Sequence, residues 1–180
     1  MAAPETIRRG GGDYNRLAEP AWPDPLDTSY SKLSGARWNA PGSFGVLYLN
    51  RGRRMARLQI DHKLAGQPYG VEDLDAEEQH DLVGVEVVEL DWRDCLTDNG
   101  LEGVGLPATY PVDATGNEVP WSTCQPIGQA AYVDGLPGIA CRPAATGAEP
   151  GDEELAVFDS HTHDVRQTNR VAFDDWYWDS

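Results

Sequence analysis

Gly35-Ala36-Arg37-Trp38-Asn39-Ala40-Pro41-Gly42, with Val46-Leu47-Tyr48-Leu49 just behind it, is the stretch that decides how this chain is read. An arginine beside a tryptophan, ahead of an asparagine and a Pro-Gly turn, is a held guanidinium rather than a solvated one. So held, it offers a planar fork of donors suited to a phosphate or diphosphate. Val46 to Leu49 reads as a short buried strand bounded by Gly45 and Asn50. Tyr48 on that strand presents an aromatic face to a flat heterocycle. A plainer reading stands beside this one: Arg37 pairs with one of the chain's 30 acidic residues, and Tyr48 is ordinary core.

Beyond this stretch, Gly52 to Leu64 has helical composition, with Met55, Leu58 (and Gln59) and His62 recurring every three to four residues. Residues 68–81 form an acidic connection with one helical turn around Glu77 and Glu78. Leu82 to Leu90 is the clearest strand, alternating and rich in valine. Residues 91–114 read as irregular, with a turn near Asn99-Gly100. Gln125 to Asp134 reads as a short helix whose apolar stripe is Ile127, Ala130, Ala131 and Val133. Gly138 to Cys141 and Leu155 to Phe158 read as two further strands. On the N-terminal side, residues 1–13 read as a flexible leader and Tyr14 to Pro25 as an extended run rich in proline and aromatics. Short strands with few helices, in no regular βαβ alternation, give an α+β fold with a mixed sheet. That domain occupies 14–171, and 172–180 is an acidic aromatic C-terminal tail.

Asp and Glu number 30 against 14 Lys and Arg, a formal charge of −16. Nucleic-acid contacts are made by clustered Lys and Arg, so a direct nucleic-acid partner is excluded. Arg51, Arg53, Arg54 and Arg57 are the exception. They read either as a solvated helix face paired with acids or as an electropositive rim for a dinucleotide phosphate or an acidic partner segment. Cys95, Cys124 and Cys141 are far apart and form no CxxC pair, which argues against a disulfide framework or structural zinc. No apolar run approaches the ~20 residues of a membrane span, and no apolar stretch follows Arg8 and Arg9 as a secretion signal requires. A cytoplasmic protein is expected. Asp159-Ser160-His161-Thr162-His163-Asp164 has the look of a two-metal hydrolase motif, but it lies late in the chain, with only His62 and His80 as further histidines. No metal is expected.

The deciding stretch resembles the RES domain family. Its pattern of Gly-x-Arg-Trp-Asn-x-x-Gly followed by a Leu-Tyr-Leu strand is present, and Tyr14-Asn15-Arg16-Leu17 loosely matches its opening aromatic-Arg-Leu segment. Gln125 to Ala131, Gly138 to Cys141 and Leu155 to Phe158 match later elements in order. The resemblance implies an ADP-ribosyltransferase-like fold and a bacterial toxin that consumes NAD, cleaving the nicotinamide–ribose bond by phosphorolysis, hydrolysis or transfer of ADP-ribose. It also implies a helix-turn-helix antitoxin as partner, with homo-oligomerisation left open. Carried over by position, Arg37, Trp38, Asn39 and Tyr48 are the candidate NAD-binding residues, with Arg37 on a phosphate and Tyr48 stacked on nicotinamide. Arg37, Tyr48 and Gln59 are the candidate catalytic residues. Two positions depart from the family. Gln59 stands where its catalytic glutamate falls, and no serine follows Cys141. An amide cannot stabilise an oxocarbenium-like transition state as a carboxylate does, at a cost of ~3 kcal/mol. The alternative to an enzyme is therefore a catalytically impaired module that acts through a partner protein.

Overall fold

A computed structural model describes residues 3–179. Its longest strand, β3 (Asp81–Cys95), is the valine-rich run of the sequence continued through Trp92, Arg93, Asp94 and Cys95. It organises the sheet because β1 (Thr6–Ala18) lies antiparallel along its whole length, from Thr6 opposite Arg93 to Ala18 opposite Asp81. Residues 6–13, expected as a flexible leader, are thus the first half of a strand. Their glycines disguise it, because ladder hydrogen bonds need no side chains. They also let the strands approach closely: a Cβ on Gly10 would lie 2.5 Å from Glu89 Cα, and Gly11 takes φ +113° at an irregularity in the register.

The remaining strands are β2 (Val46–Arg51), β4 (Gly138–Cys141), β5 (Glu154–Phe158) and β6 (Val165–Val171). The order β1-β2-β5-β4-β3-β6, with β1 paired to both β2 and β3, closes the first five into a ring and leaves β6 at the edge. All pairings are antiparallel except that between β3 and β4. This is the expected α+β architecture with a mixed sheet. β6 carries Arg166, Gln167, Thr168, Asn169 and Arg170, mostly exposed, so apolar periodicity could not reveal it.

Alternation along the central strands separates two cores. Val46, Ala156 and Phe158, with Tyr48 against them, face Trp38, Phe44, Tyr110 and Cys124. Leu47, Leu49, Leu155 and Val157 face Tyr14, Val83, Val85 and Trp92. The first core is covered by α3 (Asp98–Val104) and α4 (Trp121–Val133). α3 replaces the expected turn at Asn99-Gly100 because the Thr97 hydroxyl caps it, accepting from the Gly100 amide at 3.0 Å. α4 begins at Trp121, before the expected Gln125, and carries Pro126 inside it. α1 (Ser29–Ser34), unexpected in a polar stretch, precedes the Arg37 loop, and α2 (Arg53–Leu64) follows β2 as expected.

The expected C-terminal tail is instead a packed element. α5 (Phe173–Trp176) buries Phe173 and Trp176, with Tyr177 behind them, against Ile60 of α2 and Leu82. The Trp176 indole N–H donates to the His80 carbonyl at 2.9 Å. Aromatic side chains bury enough area to fix so short a segment. Among the described residues no helix is long and apolar enough to cross a membrane. The three cysteines are buried and free.

Candidate active site

The Arg37 loop is clamped from within. Asn39 is fully buried, and its side-chain amide donates to the carbonyls of Ser31 and Phe44, both at 2.8 Å. Trp38 is fully buried in the first core, 6.0 Å from the Tyr110 ring. α4 holds the outside of the loop. Gln125 Nε2 donates to the Ala36 carbonyl at 3.0 Å, and Gly128 packs so closely that a Cβ there would fall 1.8 Å from the Trp38 carbonyl oxygen. Trp38 and Asn39, expected to contact a dinucleotide, therefore shape the loop and do not line the cleft described below. Bulk and an amide served packing here.

Arg37 is held, as its neighbours foretold, with a side chain 12 % exposed and paired to Glu118 of the following loop. Its Nη1 is buried and meets no protein acceptor among the described residues. One arm of the fork is thus anchored while the other lies buried, and Arg37, like Trp38 and Asn39, is not among the residues that line the cleft described below. The pairing with an acid is the plainer reading; the buried Nη1 without a protein acceptor among the described residues is what keeps the functional one.

Tyr48 is not plain core. It is half-buried and lines a cleft of about 1080 Å³ together with Asn50 and Gln59. Its hydroxyl accepts a long hydrogen bond, 3.4 Å, from the Trp38 amide. Burial pushes the phenol far above its ordinary range, so it acts as a neutral aromatic face. Other lining residues come from β1, the segment after it, α1 and α2, namely Arg16, Trp22, Tyr30 and Lys63, together with His80. Arg16 belongs to the loosely matched aromatic-Arg-Leu segment and was not among the expected site residues. Its guanidinium lies over Trp22 at 5.5 Å, its Nε is buried without a partner among the described residues, and burial lowers its pKa to about 10. Burial also lowers Lys63, and burial and Lys63 together lower His80. A cation as poorly solvated as Arg16 favours an anionic ligand.

Gln59 projects from α2 into the same region. Its Nε2 donates to Asn50 Oδ1 at 2.6 Å and to Glu154 Oε2 at 3.1 Å. Glu154, the first residue of β5, lies directly opposite Asn50. Burial raises its carboxyl to about 7, with Arg37 and the Gln59 amide restraining the rise. No sequence signal marked it among so many acids. Cys141 follows a different logic: it is buried, burial pushes its thiol well up, and it is a protonated core group rather than a nucleophile. Where the family's serine is missing, Arg142 turns away to the Leu96 and Ala108 carbonyls and to Asp98.

The basic cluster resolves towards paired charges. Arg51 meets Glu153, Arg54 meets Asp152 and Glu149, and Arg57 donates to the Tyr177 and Asp179 carbonyls. His161 and His163 lie in a 3-10 helix, Asp159–Asp164, with Asp164 as a third donor, all three within 4.8 Å. His62 pairs with Thr146 and His80 borders the main cleft, so neither joins them. A smaller cavity, about 440 Å³, lies beside Arg9 and Arg142. Those two arginines are already paired with Glu153 and Asp98, and the deciding stretch does not reach it.

Comparison with known proteins adds two findings. The RES domain family matches residues 11–179. A chain of the crystal structure of the M. tuberculosis MbcT–MbcA toxin–antitoxin complex superposes with a TM-score of 0.73 at 22 % identity, covering 96 % of this chain and 92 % of that one. No curated protein matches.

Proposed function

The chain belongs to the RES domain family, and from that premise we propose that it is the toxin of a toxin–antitoxin pair, binding NAD in the cleft and cleaving its nicotinamide–ribose bond. One observation carries the reading. In a chain of charge −16, the cleft that holds Tyr48 and Gln59 also gathers two cations, the half-buried Arg16 and the more exposed Lys63. Cations so placed suit a diphosphate, and Tyr48, Trp22 and Tyr30 offer faces for flat rings. The volume is at the upper end for small-molecule sites, as a dinucleotide needs.

In this reading Arg16, Lys63 and Arg37 hold the phosphates and Tyr48 orients the nicotinamide. Cleavage leaves positive charge on the ribose, so the rate depends on negative charge placed beside it. Water or phosphate accepts the ADP-ribose, and the protein acts in the cytoplasm with no resident metal. The solved relative comes from a toxin–antitoxin complex, which supports an antitoxin partner for this chain; the family resemblance makes it a helix-turn-helix protein. A second reading, a non-catalytic module with the same cleft, draws support from Gln59.

Calorimetry with NAD and an assay of nicotinamide release separate them. Arg16→Ala and Arg37→Ala should each weaken NAD binding by ~1.5–3 kcal/mol, the worth of a charge-assisted hydrogen bond, with the fold intact. Wild-type protein that binds no NAD would overturn the site. Binding without nicotinamide release would move the function to the second reading.

A further inference from the structure

The side chain of Gln59 is already committed. Its amide nitrogen donates to Glu154 Oε2 at 3.1 Å, so a functional group on α2 and one on β5 meet at a single hydrogen bond. The register explains how. Tyr48 opposes Ala156 and Asn50 opposes Glu154, so side chains at 48, 50, 154 and 156 share one face of the sheet. Tyr48, Asn50 and Gln59 all line the cleft. A carboxylate at 59 and a carboxylate at 154 therefore reach almost the same place from different elements.

We propose that Glu154 is the catalytic carboxylate of this site, transposed from α2 to β5, and that Gln59 is the positioning amide that holds it. The inference rests on the reading of the cleft as an NAD-cleaving site. The other nearby acids are occupied. Asp61 accepts from the Tyr177 hydroxyl, and Glu153 on the opposite face is held by Arg9, Arg51 and Tyr14. Among the described residues Glu154 has only the neutral Gln59 as a side-chain hydrogen-bond partner; the titratable groups that act on it or feel its charge are Arg37, Tyr48 and Cys141. Burial places its carboxyl near the neutral range, so a large share is ionised at pH 7.

The step balances without further reagents than water or phosphate. The bond between the ribose C1′ and the pyridinium nitrogen breaks, and its electron pair leaves with the ring as neutral nicotinamide. The positive charge passes to the ribose, where ionised Glu154 stabilises it. An oxygen of water or phosphate then bonds to C1′. With water, the released proton is taken by Glu154 and passed to solvent; with phosphate dianion, none is released.

Nicotinamide release and NAD affinity, measured on wild type, Glu154→Gln, Gln59→Glu and the double exchange, test this. Glu154→Gln should lower kcat by about 10²-fold or more while NAD affinity is kept, which also reports on folding. The double exchange returns the carboxylate to α2 and should recover much of the rate. Gln59→Glu alone should bring no gain over wild type, because two carboxyls at hydrogen-bond distance share one proton. If wild type cleaves NAD and Glu154→Gln cleaves it equally fast, the proposal is overturned while the cleft's function stands. A double exchange that binds NAD but stays as slow as Glu154→Gln overturns it in the same way. Wild type that binds NAD without releasing nicotinamide removes the cleavage reading itself, and this inference with it.

Discussion

Glu153 and Glu154 are neighbours in the chain with opposite circumstances. Glu153 is 3 % exposed and fully partnered: Tyr14 donates at 2.6 Å, Arg9 Nε lies at 2.9 Å and Arg51 at 3.2 Å. These partners sit on the β1 and β2 side of the sheet, behind the second core. Glu154 meets the cleft-lining Gln59, whose amide is its only side-chain donor among the described residues, and burial lifts its carboxyl to about 7. One carboxylate ties β5 to β1 and β2. The other is left poorly solvated where chemistry is proposed. A strand makes the contrast possible, because successive side chains point to opposite faces. Poorly compensated charge at a cleft is a usual mark of function, and well-compensated charge a mark of structure.

The sharpest way to break the comparison is to remove the structural member. Glu153→Ala leaves the Tyr14 hydroxyl and two arginines without their shared acceptor. Loss of a buried pair's partner costs about 3–5 kcal/mol, and the lower end is expected because the Arg51 side chain is 45 % exposed. A urea midpoint that stays within error of wild type would remove Glu153 from its structural role.

Glu154→Gln should do the reverse. The folded carboxyl titrates near 7 against an ordinary value of 4.5, so folding disfavours its charged form. The burden is absent below pH 4.5, grows between 4.5 and 7, and is full above 7. Each tenfold change in the ionisation equilibrium is worth ~1.4 kcal/mol, so the glutamine variant should gain up to about 3–4 kcal/mol above pH 7. At pH 4 it should gain nothing. Thermal unfolding at both pH values checks this. A variant less stable than wild type at pH 8 would make Glu154 a structural residue like its neighbour.

The smallest expected effect comes from Arg51→Ala. It removes the half-exposed cation from Glu153 and leaves Arg9 and Tyr14 in place. Exposed pairs are worth about 0–1 kcal/mol, so the loss of stability should stay within that range. A loss as large as that of Glu153→Ala would show that Arg51, not Tyr14 and Arg9, anchors the cluster.

Elements with an apolar period of their own were legible: β2, the middle of β3, α2, β4 and β5 stand where the sequence put them. Others depend on partners remote in the chain. β1 is a strand because β3 offers it a ladder, and its glycines hid that. α5 is fixed by the aromatic pocket that α2 and Leu82 complete. In the cleft, Tyr48 and Gln59 were legible from the family pattern, and the held state of Arg37 from its neighbours. Arg16 and Lys63 looked like ordinary cations, 47 residues apart in sequence, until folding brought them to one cleft.

The sequence alone determined that this is an α+β domain of RES type, because the Arg-Trp-Asn turn and the strand behind it are local patterns that survive without the rest of the fold. By resemblance it also placed Gln59 where the family pattern has an acid. Only the tertiary structure decided that Glu154, not Glu153, meets Gln59 and lies opposite Asn50, two residues that line the cleft. That choice depends on the register of β5 against β2 and on Gln59 reaching across from α2. A slip of one residue would exchange the two glutamates, and nothing within the chain's local pattern fixes it.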